Sequence, residues 1–164
     1  MKYEEGKQKF IEAWGNLGSS WGINKAMAQI HALLLISVDP LSADEIMEQL
    51  KMSRGNVNMN VRGLIDWGIV ERERKIGERK EFFKTNKDVW ELAKQVSRER
   101  RRREIEPIVK VLSQVQAVEG SDATTMEFKQ VTKDLGEFSK QIDSTIEKFT
   151  KSDKNWFLKL LMKL

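Results

Sequence analysis

Apolar residues recur at helical spacing along most of this chain, and that spacing is interrupted only once. From residue 2 to about residue 17, Tyr3, Phe10, Trp14, Leu17 and then Trp21 follow at steps of seven, four, three and four. That spacing predicts an amphipathic helix, and Gly15, Gly18 and Gly22 around Trp21 are expected to end or bend it. Residues 25–37 are apolar over much of their circumference, which places a second helix at the centre of the core; Asp39-Pro40 stops it. Ser42 with Glu45 three residues on is a capping-box pattern, and Leu41 with Ile46 supplies a hydrophobic staple. The third helix that starts there has Ile46, Met47 and Leu50 for its inner face. Lys51-Met52 leaves room only for a tight turn before Ser53, a good N-cap residue.

The helix opened by Ser53 has two faces of different character. Val57, Val61, Leu64 and Ile65 fall within one quadrant at about 100° per residue, a core-facing stripe. The opposite side carries Gly55, Asn56, Asn58, Met59, Arg62 and Gly63. A solvated face would ordinarily be filled with Lys and Glu; Asn and Gly are poor helix formers, so this face gives up intrinsic stability. Amides and guanidinium groups read base edges in a DNA major groove, and small residues let a backbone approach closely. The N–H groups exposed behind Ser53 can hold a phosphate. Helix, short turn, helix is the helix-turn-helix arrangement, and two-helix hairpins are common. The unusual outer face is what points to nucleic acid, through Ser53, Arg54, Gly55, Asn56, Asn58, Met59 and Arg62.

The change of period comes next. Trp67-Gly68 closes the helix, and Ile69-Val70-Glu71-Arg72-Glu73-Arg74 places charges on alternate positions, as a strand does. Ile76-Gly77-Glu78-Arg79-Lys80 supplies a turn, and Glu81-Phe82-Phe83-Lys84-Thr85 returns as a second strand. A two-stranded hairpin directly behind a recognition helix is the wing of a winged helix. Lys75, Arg79 and Lys80 at its tip suit phosphates or the minor groove.

Helical spacing then resumes. Thr85 with Asp88 can cap a long helix over residues 86–118, striped by Val89, Leu92 and Val96 and again by Ile105, Ile108, Val109, Leu112 and Val115. Between the two stripes lies Arg98-Glu99-Arg100-Arg101-Arg102-Arg103, which spreads around the helix. It makes either a solvated face braced by Glu99 and Glu104, or a phosphate contact or interdomain salt bridge. Pro107 is expected to kink the helix. After a turn at residues 119–122, residues 123–151 carry Phe128, Val131, Leu135, Phe138, Ile142, Thr145 and Phe149 at alternating steps of three and four. This is an a/d seam that needs a partner helix, from this chain or a second copy. Residues 154–164 are strongly apolar with interspersed lysines, suited to a partner subunit or to a membrane interface. The resulting organisation is residues 1–38 as N-terminal helices, 39–86 as the winged helix-turn-helix, and 87–164 as the long helix and dimerisation helices.

Composition narrows the function. At 164 residues the chain can bury a real core, and 40% apolar with 33% charged residues suits a soluble, mostly helical protein. Cysteine is absent, which excludes disulfides and thiolate metal sites and agrees with a cytoplasmic location. The charged N-terminus lacks an apolar signal region, and the longest apolar run, residues 32–36, is far too short to cross a membrane. Residues 51–110 hold 17 Lys/Arg against 10 Asp/Glu, a net +7, whereas the remainder is −3. The positive field therefore sits on and just after the candidate recognition helix. One His, no Cys, no phosphate-binding glycine loop and no recognisable carboxylate pair leave no nucleophile–base set, so neither an enzyme nor a cofactor or metal is expected. His31, inside the second helix, is expected to pack or hydrogen-bond.

The blocks Pro40-Leu41-Ser42, Ser53-Arg54-Gly55-Asn56-Val57, Leu64, Trp67-Gly68-Ile69-Val70 and Gly77-Glu78-Arg79-Lys80-Glu81-Phe82-Phe83 resemble MarR-type winged-helix regulators. Within that group the chain is most similar to the branch of the bacterial glycine-betaine-synthesis regulator. Trp14-Gly15-Asn16-Leu17-Gly18 and the helix with Ala28, Ile30 and residues 32–35 share this likeness, which spans roughly residues 8–110 and is diffuse. The resemblance implies a mainly α protein with a small two-stranded β wing, a winged helix-turn-helix with helical dimerisation extensions. It further implies a homodimer, joined here through N- and C-terminal helices, that binds double-stranded DNA, often as a repressor. The usual wing tip carries Asp-x-Arg; Gly77-Glu78-Arg79 stands in its place and leaves Arg79 as the minor-groove candidate. Members of that branch respond to small quaternary amines, which aromatic faces recognise, so Trp14 and Trp21 become candidate ligand residues. Aromatics at helical spacing are more often core or dimer contacts. The competing function is a winged helix used for protein assembly, which would not need the Asn/Arg face.

Overall fold

A computed structural model describes residues 1–153 of the chain; residues 154–164, including the apolar tail, lie outside the described part. The chain divides into two units, Met1–Leu92 and Ala93–Leu164, with the boundary inside one helix.

The first unit is built on α2 (Lys25–Ile36), with α1 (Tyr3–Ser20), α3 (Ala43–Leu50) and α4 (Arg54–Asp66) around it. Ile30 and Leu33 of α2, Ile46 of α3 and Val57 of α4 are fully buried, so the core sits where these three helices meet. The capping box at Ser42 is formed: its hydroxyl accepts from the Glu45 amide while the Glu45 carboxylate accepts from the Ser42 N–H at 2.7 Å. The Ser42 hydroxyl also donates to that carboxylate at 2.6 Å, and this bond, followed by the one from the Ser42 N–H, holds the Glu45 carboxyl below its ordinary range. Lys51 makes the turn between α3 and α4 with φ 53°, a left-handed conformation that is uncommon for a residue with a Cβ.

The glycines of α1 behave differently from expectation. Gly15 and Gly18 lie inside the helix and are buried, and it is Gly22, at φ +74°, that follows its end. There the Gly22 amide bonds Ser19 O and the Ile23 amide bonds Gly18 O, a Schellman closure. A Cβ at Gly18 would stand 2.6 Å from the Ala28 Cβ, and one at Gly15 2.7 Å from the Gln29 Cγ, so these glycines let α1 approach α2 closely. The aromatic stripe packs only in part: Phe10 and Trp14 are half-buried, whereas Tyr3, Leu17 and Trp21 are exposed. Gly18→Ala should destabilise the unit, because an overpacking cost of roughly 1–3 kcal/mol opposes a helix-propensity gain of at most about 1 kcal/mol. Urea unfolding is the measurement, and a stabilised variant would refute the close packing.

The wing is β2 (Val70–Arg74) and β3 (Glu81–Thr85), paired antiparallel with Val70 opposite Thr85 and Arg74 opposite Glu81. The sheet has three strands rather than two. A two-residue β1 (Leu41–Ser42) joins the far side of β3, with Leu41 opposite Phe83, in the order β1-β3-β2. Two residues are too few to show a period, which is why the strand is invisible in the pattern. Thr85 caps no helix; its hydroxyl donates to Ile69 O at 2.8 Å and ties the base of the wing. Asp88 alone takes the capping role, accepting from the Trp90 and Glu91 amides.

The expected long helix is α5 (Val89–Arg100), a π-helical turn (Arg101–Ile105) and α6 (Glu106–Val115). Pro107 stands in the first turn of α6, where its missing N–H is tolerated, and the distortion falls in the wider turn before it. In the second unit α7 (Ala123–Lys151) packs on α6 and on the π-turn, capped by Asp122. The arginine run is largely consumed within this unit. Arg101 makes a bidentate pair with Asp143 (2.7 and 3.0 Å), while Arg102 and Arg103 both donate to the buried Glu99. The α7 face toward α6 includes Gly136, whose Cβ position is 3.7 Å from Leu112, and Thr132, bonded to Gln116 at 2.6 Å. The seam residues Phe128, Val131, Leu135 and Phe138 are exposed at 41%, 45%, 49% and 60%, so α6 does not cover them.

Candidate nucleic-acid interface

Helix α4 presents the anticipated face. Its N-cap Ser53 accepts from the Asn56 amide at 3.3 Å, and its far end closes on Gly68 at φ 67°, with the Ile69 amide on Leu64 O at 3.0 Å. Val57, Val61 and Leu64 are buried against the core, which turns Arg54, Gly55, Asn58, Met59 and Arg62 outward; all five are exposed, as is Ser53. Asn56 is half-buried at the edge of the same face. Met59, 62% exposed, offers an apolar tip of the kind that meets a thymine methyl.

Lys75, Arg79 and Lys80 are exposed on the loop joining β2 to β3, where Gly77 takes φ +84° and the Glu78 amide closes on Lys75 O. Lys75 sits over the Phe82 ring at 4.1 Å, a cation–π contact that leaves its ammonium at the surface. Arg62 and Arg79 have no side-chain hydrogen bond or ion pair among the described residues. Ile76, wholly exposed at the loop tip, was not anticipated, because an apolar residue in a turn has no pattern to mark it.

Two further residues bear on this surface. Asp44, at the start of α3, accepts from Arg54 at 2.7 Å and lies 4.0 Å from Lys80. One carboxylate thus joins the first residue of α4 to the wing. Such an exposed pair is worth about 0–1 kcal/mol, so a phosphate can displace it. Asn60 falls on the apolar face of α4. It is buried, and its side-chain amide donates to Asn56 O at 2.8 Å and to Asn56 Oδ1 at 2.6 Å. An amide within an apolar stripe is the one signal that could have marked it.

The candidate ligand residues are arranged less favourably. Trp14 is half-buried between α1 and α2, 5.7 Å from the Phe10 ring, and its indole N–H donates to His31 Nδ1 at 3.3 Å. Trp21 caps the end of α1 and is 57% exposed. The described contacts do not bring the two together as a cage. His31 is buried and desolvated, which pushes its pKa down to about 4 and keeps it neutral at ordinary pH. Among the described residues no helix is long and apolar enough to cross a membrane, and no group of three or more His, Cys, Asp or Glu could hold a metal ion.

Fold and surface together define a mainly α winged helix-turn-helix with helical extensions. Comparison with known proteins makes the type more specific: residues 21–81, from the end of α1 to the start of β3, match the model of the MarR family. A crystal structure of a transcriptional regulator superposes with a TM-score of 0.70 at 16% identity, the match covering 88% of this chain and 95% of that one. At that identity the likeness speaks for the fold. No curated protein matches the chain. The winged helix is MarR-like.

Proposed function

We propose that the protein is a DNA-binding transcriptional regulator that acts as a homodimeric repressor on a pseudo-palindromic site. The observation that carries this reading is the outward face of α4. Asn58, Met59 and Arg62 project from a helix whose other side is core, and Lys75, Arg79 and Lys80 stand exposed on the wing loop. The MarR-family match over this segment supports the same reading, as does the regulator of similar fold. In this mechanism two copies present their α4 helices about 34 Å apart to successive major grooves, while the wings meet the flanking backbone or minor groove. The open seam of α7 supplies the contact between copies. A protein-assembly role would leave the Asn/Arg face without a use. The branch likeness extends the proposal to control by a quaternary amine at Trp14 and Trp21, which saturable quenching of Trp fluorescence by choline would reveal.

The division of labour on this surface is testable. Asn58→Ala or Arg62→Ala should cost about 1–3 kcal/mol on a specific site and relax one or two base preferences. Arg79→Ala or Lys80→Ala should weaken all sequences alike and flatten the salt dependence. Gel-shift titrations on selected and random duplexes distinguish these outcomes, and equal effects of all four changes on both DNAs would contradict the assignment.

Gly55 offers a second test, because nothing lies within 4 Å of a Cβ placed there. Gly55→Ala should stabilise the protein by up to about 1 kcal/mol, since alanine loses less backbone entropy. The same methyl group projects from the outward face and should weaken DNA binding. Stabilisation with undiminished binding would remove the close-approach role from Gly55.

A further inference from the structure

Asn60 and Asn56 form a hydrogen-bonded pair whose polarity can be deduced. The Asn60 side chain meets the Asn56 backbone carbonyl at 2.8 Å, and a carbonyl only accepts, so the group facing it is the Asn60 Nδ2 amide. That nitrogen carries two hydrogens, and the second goes to the Asn56 side chain at 2.6 Å. The Asn56 atom that receives it must therefore be the oxygen, and the Asn56 Nδ2 amide is the end turned away from Asn60. Asn60 is 4% exposed, among Val57, Val61 and Leu64, so water cannot easily compete for these bonds. The Asn56 backbone is tied as well, its N–H donating to the Ser53 hydroxyl.

We infer that Asn60 is a positioning residue for base readout, locking Asn56 so that it presents amide hydrogens, and not its carbonyl, to the major groove. The inference rests on the DNA-binding reading above. An unconstrained asparagine reads adenine through both ends, donating to N7 and accepting from the N6 amine. With its oxygen engaged by Asn60, Asn56 acts chiefly as a donor. Guanine O6 and N7 and thymine O4 accept from it; adenine offers only N7, beside an amine that meets it donor to donor, and cytosine offers only its amine. Asn56 therefore sorts keto from amino bases, a preference that differs from the usual asparagine–adenine pairing.

The experiment is selection of bound duplexes from a random pool with the wild type, Asn56→Ala and Asn60→Leu. The position read by Asn56 is the one that Asn56→Ala relaxes. There the wild type should favour guanine or thymine over adenine and cytosine by roughly fivefold, the worth of one net hydrogen bond. Asn60→Leu, which keeps the bulk and removes the donors, should admit adenine at that position alone. A parallel measurement needs no DNA: in the labelled wild-type protein, the Asn60 side-chain amide hydrogens should exchange far more slowly than those of exposed Asn58. Rapid exchange at Asn60, or an unchanged base preference in Asn60→Leu, overturns the inference while leaving DNA binding intact. A wild type that selects no sequence overturns the DNA reading itself, and the inference with it.

Discussion

Lowering the pH from 6.5 to 5 should cost the first unit about 2 kcal/mol of stability through His31 alone. Burial between α1 and α2 disfavours the imidazolium, so the folded side chain takes up its proton only near pH 4, against 6.5 for an ordinary histidine. Between those values the unfolded chain binds the extra proton and the folded chain does not. Stability therefore falls as pH falls through this window, and the loss levels off at about 3 kcal/mol below pH 4. The effect can be isolated. The carboxylates held below their ordinary range, Glu12, Glu45, Glu99, Asp122 and Glu147, give up their contributions only as pH drops through about 4.5 and below. Urea unfolding at pH 6.5 and 5, followed by Trp fluorescence, should show the loss in wild type and a nearly flat response in His31→Gln, whose amide can still accept from Trp14. An equal loss in the variant would place the sensitivity elsewhere.

Leu135→Glu or Phe138→Glu should dissociate the proposed dimer while leaving the fold of each copy almost unchanged. Both side chains are about half or more exposed within the chain, so the change removes little of the protomer's own packing. In a symmetric interface each substitution enters twice and buries an unpaired carboxylate against an apolar surface, which should raise the dissociation constant at least about a hundredfold. Light scattering across a concentration series, with circular dichroism as the control for folding, gives the answer. A dimer as tight as the wild type would show that copies of this chain meet through another surface. Because a bipartite site is held by both copies together, the same variants should also lose most of their affinity for the selected duplex.

The outward face of α4 was legible because its evidence is local. Ser53, Gly68 and the stripe Val57, Val61 and Leu64 define where the helix starts, where it stops and which side is buried. Once those are set, the directions of Asn58, Met59 and Arg62 follow from 3.6 residues per turn. The wing tip was legible for the same reason, since alternation and a glycine turn need only neighbouring residues. Asp44 was not. Its importance comes from Arg54 and Lys80, ten and 36 positions away, and nothing in its own surroundings distinguishes it from any acid in a first helical turn. How much of the aromatic stripe of α1 packs was not legible either, because periodicity shows that a helix has a face, not what that face meets.

What the amino-acid order settled is thus whatever closes within about one helical turn or repeats with a steady period. The Ser42–Glu45 box, the Ser53 cap, the wing alternation and the three-four spacing of α7 all belong here. Packing alone decided the rest. It added β1 to the sheet across some forty residues of chain, put Gly15 and Gly18 against α2, drew Thr85 to Ile69 and placed the distortion before Pro107. It also buried Asn60, turning an ordinary helical amide into a clamp on Asn56. Such features depend on which distant surfaces exclude water from one another, and that free energy is shared by residues with no common position in the sequence.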